Sequence, residues 1–155
     1  MAQRNPHFGA HWQNEKEGLA ERPTWTEFRL FSGGHELKYC AAFPKTCATL
    51  RQLPEGTKFG GDIKFSTMAP GTVVKPHFAL SNDHIRIHLG LDVPEPHAVL
   101  LHVGNDTHEW AEGRAIAFDD SILHSVEHRG AHGTDYIESM LVAVGGADYR
   151  IYVLE

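Results

Sequence analysis

Residues 84–93 read HIRIHLGLDV, and this stretch decides the fold class because polar and apolar side chains alternate along it. In an extended strand, alternate residues point to opposite faces. We expect the apolar face to pack against a second layer of structure. The other face either meets solvent or lines a polar cavity. The apolar set is Ile85, Ile87, Leu89, Leu91 and Val93, and the polar set is His84, Arg86, His88, Gly90 and Asp92.

Short β-rich runs of this kind occupy most of the chain after Trp25, and turn-forming spacers such as APG, PEPH and GNDTHEWAEG separate them. Many short strands with little helix predict an all-β sandwich, jelly roll or barrel. The segment HELKYCAAF begins with strand character. The segment PKTCATLRQLP, residues 44–54, predicts one short helix near the N-terminus, with Thr46 as its N-cap. The further runs are DIKFSTMA, TVVKPHF, AVLLHVG, RAIAFDD, HSVEHR, YIESMLVAVG and YRIYVLE.

Length and charge limit the classes of function. The chain has 155 residues and a formal net charge of −6. We expect an N-terminal arm over residues 1–22 and a single domain over residues 23–155. The negative charge argues against nucleic-acid and anionic-membrane partners, which require clustered positive charge. The N-terminal segment lacks the apolar run of a signal peptide, so we expect a cytoplasmic protein without a membrane span.

The two cysteines, Cys40 and Cys47, have six residues between them, which does not match a zinc-binding pair. We expect two reduced, partly buried thiols. The chain also contains 12 histidines, most of which we expect at the surface or in structural hydrogen bonds.

Five segments carry a resemblance to a known family: WTEFRLF (25–31), FPKTCATLRQLP (43–54), IKFSTMAPGTVVKPH (63–77), IRIHLGLDVP (85–94) and VGNDTHEWAEGRAIAFDDSILHSV (103–126). In order and spacing they resemble the aspartyl/asparaginyl β-hydroxylase domain family. The resemblance implies a double-stranded β-helix, a cupin-like jelly roll. It also implies an oxygenase, specifically a dioxygenase, that uses non-haem Fe(II), 2-oxoglutarate and O2.

The resemblance places the two iron-binding histidines at His77 and His124. A non-haem iron site usually adds a carboxylate to two histidines. That carboxylate would stand at position 79, where Ala79 cannot bind a metal, so a water would take its place. Asp119 and Asp120 precede the second histidine. One of them either hydrogen-bonds that water or a ligand histidine, or caps a tight turn.

The resemblance also implies a cosubstrate pocket. Ser66 matches the serine that contacts 2-oxoglutarate, and Arg86 and His88 match the pair that reaches a carboxylate of the cosubstrate. An arginine binds a carboxylate through two parallel hydrogen bonds and stays charged at working pH. Trp25 corresponds to an aromatic residue near the pocket, and a core position explains it equally well.

The chain departs from the family pattern after the second histidine. The family carries another arginine there, which binds the far carboxylate of 2-oxoglutarate, and its place falls near Ile137 or Glu138. Glu138 would repel that carboxylate. Arg129 and Arg150 are the nearest possible substitutes. Ala79 also replaces the family's glycine.

Three functions therefore remain open. The first is a 2-oxoglutarate-dependent oxygenase that hydroxylates, desaturates or cyclises its substrate. The second is a metal-dependent isomerase or cyclase on the same fold that does not use 2-oxoglutarate. The third is a non-catalytic binding protein. We expect a small-molecule substrate, because the sequence shows no helical-repeat domain that would hold a protein substrate. A homodimer formed through an edge strand remains open. His84, His97, His102, His108, His128 and His132 match no ligand position.

Overall fold

A computed structural model describes residues 12–14, 18–20, 25–53, 61–80, 82, 84–93, 95–130 and 138–146. Eleven strands and one α-helix are found in these ranges. The helix α1 spans Pro44–Arg51 and follows a 3₁₀ helix at Lys38–Ala42, and a second 3₁₀ turn spans Pro96–Ala98. The strands are β1 (Gln13–Asn14), β2 (Trp25–Ser32), β3 (His35–Glu36), β4 (Ile63–Met68), β5 (Val73–His77), β6 (His84–Asp92), β7 (Val99–Val103), β8 (Asp106–Glu109), β9 (Ala115–Asp119), β10 (His124–His128) and β11 (Glu138–Gly146).

The strands form two antiparallel sheets. One has seven strands in the order β1-β2-β4-β11-β6-β9, with β3 paired to β2, and the other has four in the order β5-β10-β7-β8. Several neighbours, such as β4 with β11, β11 with β6 and β5 with β10, come from distant parts of the chain, as in a jelly roll. The fold is therefore the all-β, cupin-like jelly roll with one short N-terminal helix that the sequence predicts.

The main core lies between the sheets, and it shows which face of β6 points inward. Arg86 and His88 line an internal cavity together with residues of the opposite sheet, so the polar face is the inner one. Ile85, Ile87 and Leu89 are only half-buried. Of the two alternatives for the polar face, the structure therefore shows the cavity-lining one, and of the apolar set Val93 belongs to the main core. The main core consists of Trp25, Met68, Val74, Val93, Val99, Leu101, Trp110, Phe118 and Val126.

A second apolar cluster covers the other face of β2 and β4 beneath α1. It contains Phe28, Leu30, Phe31, Cys40, Cys47, Leu50 and Ile63. Cys40 and Cys47 form a disulfide with a Cα–Cα distance of 5.7 Å, so the expectation of two reduced thiols is wrong. The 3₁₀ helix and the first turn of α1 fold back on each other, which brings the two cysteines within bonding distance.

Two local predictions also need correction. Phe43, rather than Thr46, is the N-cap of α1, because Pro44 occupies the first helical position, where its missing N–H costs nothing. The spacer GNDTHEWAEG contains a strand, β8, which forms a hairpin with β7. Gly104 makes the turn with a φ of +57°, a conformation that favours glycine.

The predicted arm over residues 1–22 is described only in part. Gln13 and Asn14 pair with β2, and Ala20 forms a bridge with Val74, so these parts pack against the domain. The segment YRIYVLE lies outside the described residues. Within the described ranges, no helix has the length and apolar character needed to cross a bilayer.

Candidate metal centre and cavity

A small cavity that opens to solvent lies between the two sheets. Residues from both sheets form its walls, which explains why the site residues are scattered along the sequence. The walls combine apolar side chains with cationic, imidazole and hydroxyl groups. The lining residues are Trp25, Lys64, Ser66, Met68, Val74, His77, Arg86, His88, Leu101, Phe118, His124 and Val126.

The antiparallel pairing of β5 and β10 brings His77 and His124 together. The two residues are direct Cα partners in the register, and their ring centroids are 4.2 Å apart with the planes inclined at 57°. The structure thus joins two residues that are 47 positions apart in sequence. Two imidazoles this close are able to bind one metal ion.

The two histidines also share a local hydrogen-bond geometry. His77 Nδ1 lies 2.8 Å from the carbonyl oxygen of Lys75, and His124 Nδ1 lies 2.8 Å from that of Ile122. A carbonyl oxygen only accepts, so Nδ1 carries the proton in both rings. Nε2 is then the basic nitrogen of each, as in histidines that bind metals.

The surroundings of His124 favour the neutral ring. Burial lowers the pKa of His124 below its usual value, and the nearby His77 and Arg86 lower it further. His124 Nε2 is buried and has no hydrogen-bond partner in the described part of the chain. A buried polar nitrogen without a partner is costly, and a metal ion bound there would satisfy it. The pair therefore fits a metal site.

Neither a third histidine nor any cysteine, aspartate or glutamate joins the pair at ligand distance among the described residues. Asp119 belongs to the turn, because its Oδ1 accepts hydrogen bonds from the Ser121 N–H at 2.9 Å and from the Ser121 hydroxyl at 2.7 Å. Asp120 is buried, and its carbonyl oxygen accepts a 2.8 Å hydrogen bond from the N–H of Ala79. Asp120 therefore lies beside the position from which a carboxylate ligand is missing.

Asp120 also pairs with Arg86. The Asp120 Oδ2 atom is 3.2 Å from Arg86 Nε and 3.0 Å from Nη2, while Oδ1 is buried and lacks a partner in the described ranges. A guanidinium has five donor hydrogens, and two of them belong to Nη1. Arg86 is thus held in place by one carboxylate and still has donors for another.

A second ion pair lies on the seven-stranded sheet. Lys64 lines the cavity and pairs with the buried Glu27. Ser66, two residues further along β4, is fully buried and accepts a 2.7 Å hydrogen bond from Trp25 Nε1. Trp25 therefore lies both in the main core and in the cavity wall, so the two positions considered for it from the sequence are compatible.

His88 is a neutral residue of the cavity wall. Burial lowers its pKa to about 3, with further contributions from Arg86, Lys64 and His124. The ring stacks on Trp110, with centroids 5.7 Å apart, and meets the edge of Phe118 at 5.2 Å.

The remaining candidates lie elsewhere. Arg129 is exposed and pairs with Glu127, away from the cavity lining. Glu138 begins β11 opposite Met68, and only its backbone is described. Arg150, Ile137 and His132 lie outside the described residues. Of the other histidines, His97 and His102 pair with surface carboxylates, and His128 is buried.

Sequence reasoning missed Lys64, Phe118 and Trp110. Lys64 was detectable, because it shares a strand face with Ser66 by period-two alternation. Phe118 packs between His88 and His124, with ring centroids 5.2 and 5.1 Å away, and Trp110 stacks on His88 from a turn. No local pattern in the sequence marks these contacts, since they depend on how the two sheets and the segment between β8 and β9 pack together.

The fold defines the chain as a cupin-type jelly roll. It is similar to a solved cupin-2 domain protein from Rhodospirillum rubrum, with a TM-score of 0.52 over 90% of this chain and 70% of the other, at 14% identity. The likeness to that structure shows the fold alone.

The sequence identifies the family. The sequence profile of the aspartyl/asparaginyl beta-hydroxylase family matches residues 2–133, and the chain belongs to this family. It is 40% identical over 114 residues to the human aspartyl/asparaginyl beta-hydroxylase, a match that covers 72% of this chain and 15% of the human protein. It is 35% identical over 105 residues to an ornithine lipid ester-linked acyl 2-hydroxylase of Rhizobium tropici, covering 64% of this chain and 35% of that protein. The chain thus spans only a small part of the length of these relatives.

Proposed function

We propose that the protein is a hydroxylase that uses non-haem Fe(II), 2-oxoglutarate and O2 and acts on a small-molecule substrate. The observation that carries the proposal is the histidine pair. The rings of His77 and His124 are 4.2 Å apart, and in both the Nδ1–H donates to a carbonyl oxygen, which leaves Nε2 to bind the metal.

Two further features support the proposal. Ala79 cannot bind a metal, so a water would take that ligand position. Asp120 Oδ1, which has no partner among the described residues, would be available to accept a hydrogen bond from that water. Arg86 and Ser66 line the same cavity and offer donors to the carboxylates of the keto acid. Bound Fe(II) would supply the centre at which O2 is activated.

The overall reaction is balanced by the keto acid. 2-Oxoglutarate loses CO2 and becomes succinate, and O2 delivers one oxygen atom to succinate and the other to the new hydroxyl group. The cavity is also lined by the apolar side chains of Leu101, Val126 and Met68. The names of the relatives specify different substrates, an aspartyl or asparaginyl group for one and an ester-linked acyl group for the other, so the substrate does not follow from the family.

One observation favours a second function, a metal-dependent reaction without 2-oxoglutarate. Arg86 and Lys64 are the cations that line the cavity among the described residues, and each already pairs with a carboxylate. A dicarboxylate must share these cations with Asp120 and Glu27.

Succinate formation separates the two functions. The Fe(II)-loaded protein is incubated with 2-oxoglutarate, O2 and a panel of metabolites, and succinate is measured with and without each metabolite. We expect succinate from the wild type and from His97→Ala, whose ring is exposed, and none from His124→Ala. Product formed equally well without 2-oxoglutarate would reject the first function and support the second.

A further inference from the structure

The cavity wall contains a second buried cation besides Arg86. Lys64 lines the cavity, and only 12% of its side chain is exposed. The pairing of β2 with β4 places Lys64 directly opposite Arg29, whose side chain is 42% exposed. Like charges at directly opposite positions of a sheet repel each other, so an anion has to lie beside them.

Glu27 supplies that negative charge and holds Lys64 in place. Its side chain is only 8% exposed, its Oε1 accepts a hydrogen bond from the Lys64 ammonium, and its Oε2 lies 3.7 Å from Arg29 Nη2. Arg29 Nε in turn lies 3.3 Å from Asp62 Oδ2. An ammonium group has three donor hydrogens, and Glu27 is the acceptor that the described residues provide for Lys64. Lys64 is therefore fixed in the cavity wall and still has donors for a ligand.

Strand pairing separates the two cations of the cavity. Val142 of β11 is the Cα partner of Lys64, whereas Val144 is the Cα partner of Arg86, and β11 lies between their two strands. Lys64 is thus two residues along the strands and two strands across the sheet from Arg86, or about 12 Å between Cα atoms. Both side chains line the same cavity, so the cavity extends from one cation to the other.

The histidine pair lies at the Arg86 end of this arrangement. Arg86 pairs with Asp120, whose carbonyl oxygen accepts a hydrogen bond from the Ala79 N–H, two residues after the first histidine. Ser66 lies on the other side of Lys64, because its Cα partner on β11 is two residues further from that end. A ligand bound at the histidines through one carboxylate, near Arg86, therefore has its other end towards Lys64 and Ser66.

We propose that the ammonium of Lys64 binds the far carboxylate of 2-oxoglutarate, and that this contact makes the cavity select a keto acid with two carboxylates over one with a single carboxylate. The inference rests on the proposed function, since it assigns a residue to the keto acid of the same site. Ser66 accepts a hydrogen bond from Trp25, which leaves its own hydroxyl hydrogen to donate to the same carboxylate. Arg129 is not available for this contact, because it is exposed and pairs with Glu127 away from the cavity.

Two keto acids that differ only at the far end test the proposal. 2-Oxopentanoate has the same carbon skeleton as 2-oxoglutarate and carries a methyl group in place of the far carboxylate. Binding of each to the anaerobic protein loaded with Fe(II) is measured by calorimetry. A hydrogen bond between two charged groups predicts that the wild type binds 2-oxoglutarate about tenfold or more tightly than 2-oxopentanoate. Equal affinities of the wild type for the two keto acids would overturn the proposal.

Variants assign the preference to Lys64. We expect Lys64→Met to lose the preference for 2-oxoglutarate and Lys64→Arg to keep it. Lys64→Met leaves the charge of Glu27 buried, so Glu27→Gln combined with Lys64→Met is also measured. This double variant removes both charges, and we expect it to stay folded in thermal unfolding and to lose the preference as well.

The control variant is Arg129→Met, which removes an exposed cation outside the cavity lining and should behave as the wild type. A preference that survives in both Lys64→Met and the double variant would overturn the proposal. An equal loss in Arg129→Met would also overturn it, because the effect would then come from the overall charge.

The visible charge-transfer band separates this inference from the proposed function. The band reports chelation of Fe(II) by the keto-acid end, which 2-oxopentanoate shares with 2-oxoglutarate. A band with both keto acids and no difference in affinity rejects the role of Lys64 alone. A preference that depends on Lys64, without a band for either keto acid, rejects the proposed function and leaves Lys64 as a carboxylate contact.

Discussion

The buried imidazole of His88 predicts a specific loss of stability in acid. Burial lowers its pKa in the folded protein to about 3, whereas an unfolded histidine titrates near 6.5. Between these values the unfolded chain binds one more proton than the folded chain. The contribution of neutral His88 to the free energy of unfolding is therefore fully present above pH 6.5, and it is lost progressively as the pH falls towards 3.

The size of the effect follows from the two pKa values. Linkage predicts that His88 costs about 2.5 kcal/mol of unfolding free energy between pH 7.5 and pH 4.5. The test is urea denaturation of the metal-free protein at four pH values in this range, for the wild type and for His88→Gln. The variant should lose about 2.5 kcal/mol less than the wild type over the same interval.

The control for this experiment is His97→Gln, because the His97 ring is exposed at the surface. The pKa values of His124 and His128 are also lowered by burial, but both residues remain in every variant, so the difference isolates His88. Parallel pH profiles for the wild type and His88→Gln would refute the reasoning, since they would mean that His88 protonates without penalty in the folded protein.

Three further predictions concern the framework of the site. Reduction of the disulfide with dithiothreitol should lower the unfolding free energy by about 2–3 kcal/mol, and an unchanged urea midpoint would contradict this. Gly90→Ala should lower the free energy of unfolding by roughly 2 kcal/mol or more, because the added Cβ would lie 2.4 Å from the carbonyl oxygen of Ala111. A melting temperature equal to that of the wild type would contradict this prediction. Asp120→Asn should lower the free energy of unfolding by about 3–5 kcal/mol, because it leaves the charge of Arg86 without its carboxylate partner. A loss below about 1 kcal/mol, measured by urea denaturation, would contradict a stabilising ion pair at this place.

The sequence predicted the elements that depend on local chemistry. Strands β4–β7, β9 and β10 follow from alternation and turn formers, and α1 follows from its two flanking prolines. The N-cap was misassigned because threonine is a frequent cap, whereas proline at the first helical position determined the start. β8 was missed because its residues Asp106–Glu109 are all polar and exposed, so the strand shows no alternation of apolar and polar side chains.

The tertiary features were harder to predict. Alternation separated the two faces of β6 but left open whether the polar face meets solvent or lines a cavity, and the structure places Arg86 and His88 in the cavity wall. The disulfide required knowledge of how the 3₁₀ helix folds back on α1. The pairing of His77 with His124 came from the family resemblance, since their separation in sequence alone left the question open. The contact of Trp110 with His88 joins two segments that are 22 positions apart, and no local pattern reveals such a contact.

The central claim is that His77 and His124 hold the iron to which the keto acid binds. Its most direct test is anaerobic titration of Fe(II) and 2-oxoglutarate, followed through the visible charge-transfer band and through metal content after gel filtration. The account predicts about one iron per chain and a band in the wild type and in His97→Ala, and neither iron nor band in His77→Ala or His124→Ala. Retention of both iron and band in the two ligand variants would contradict it.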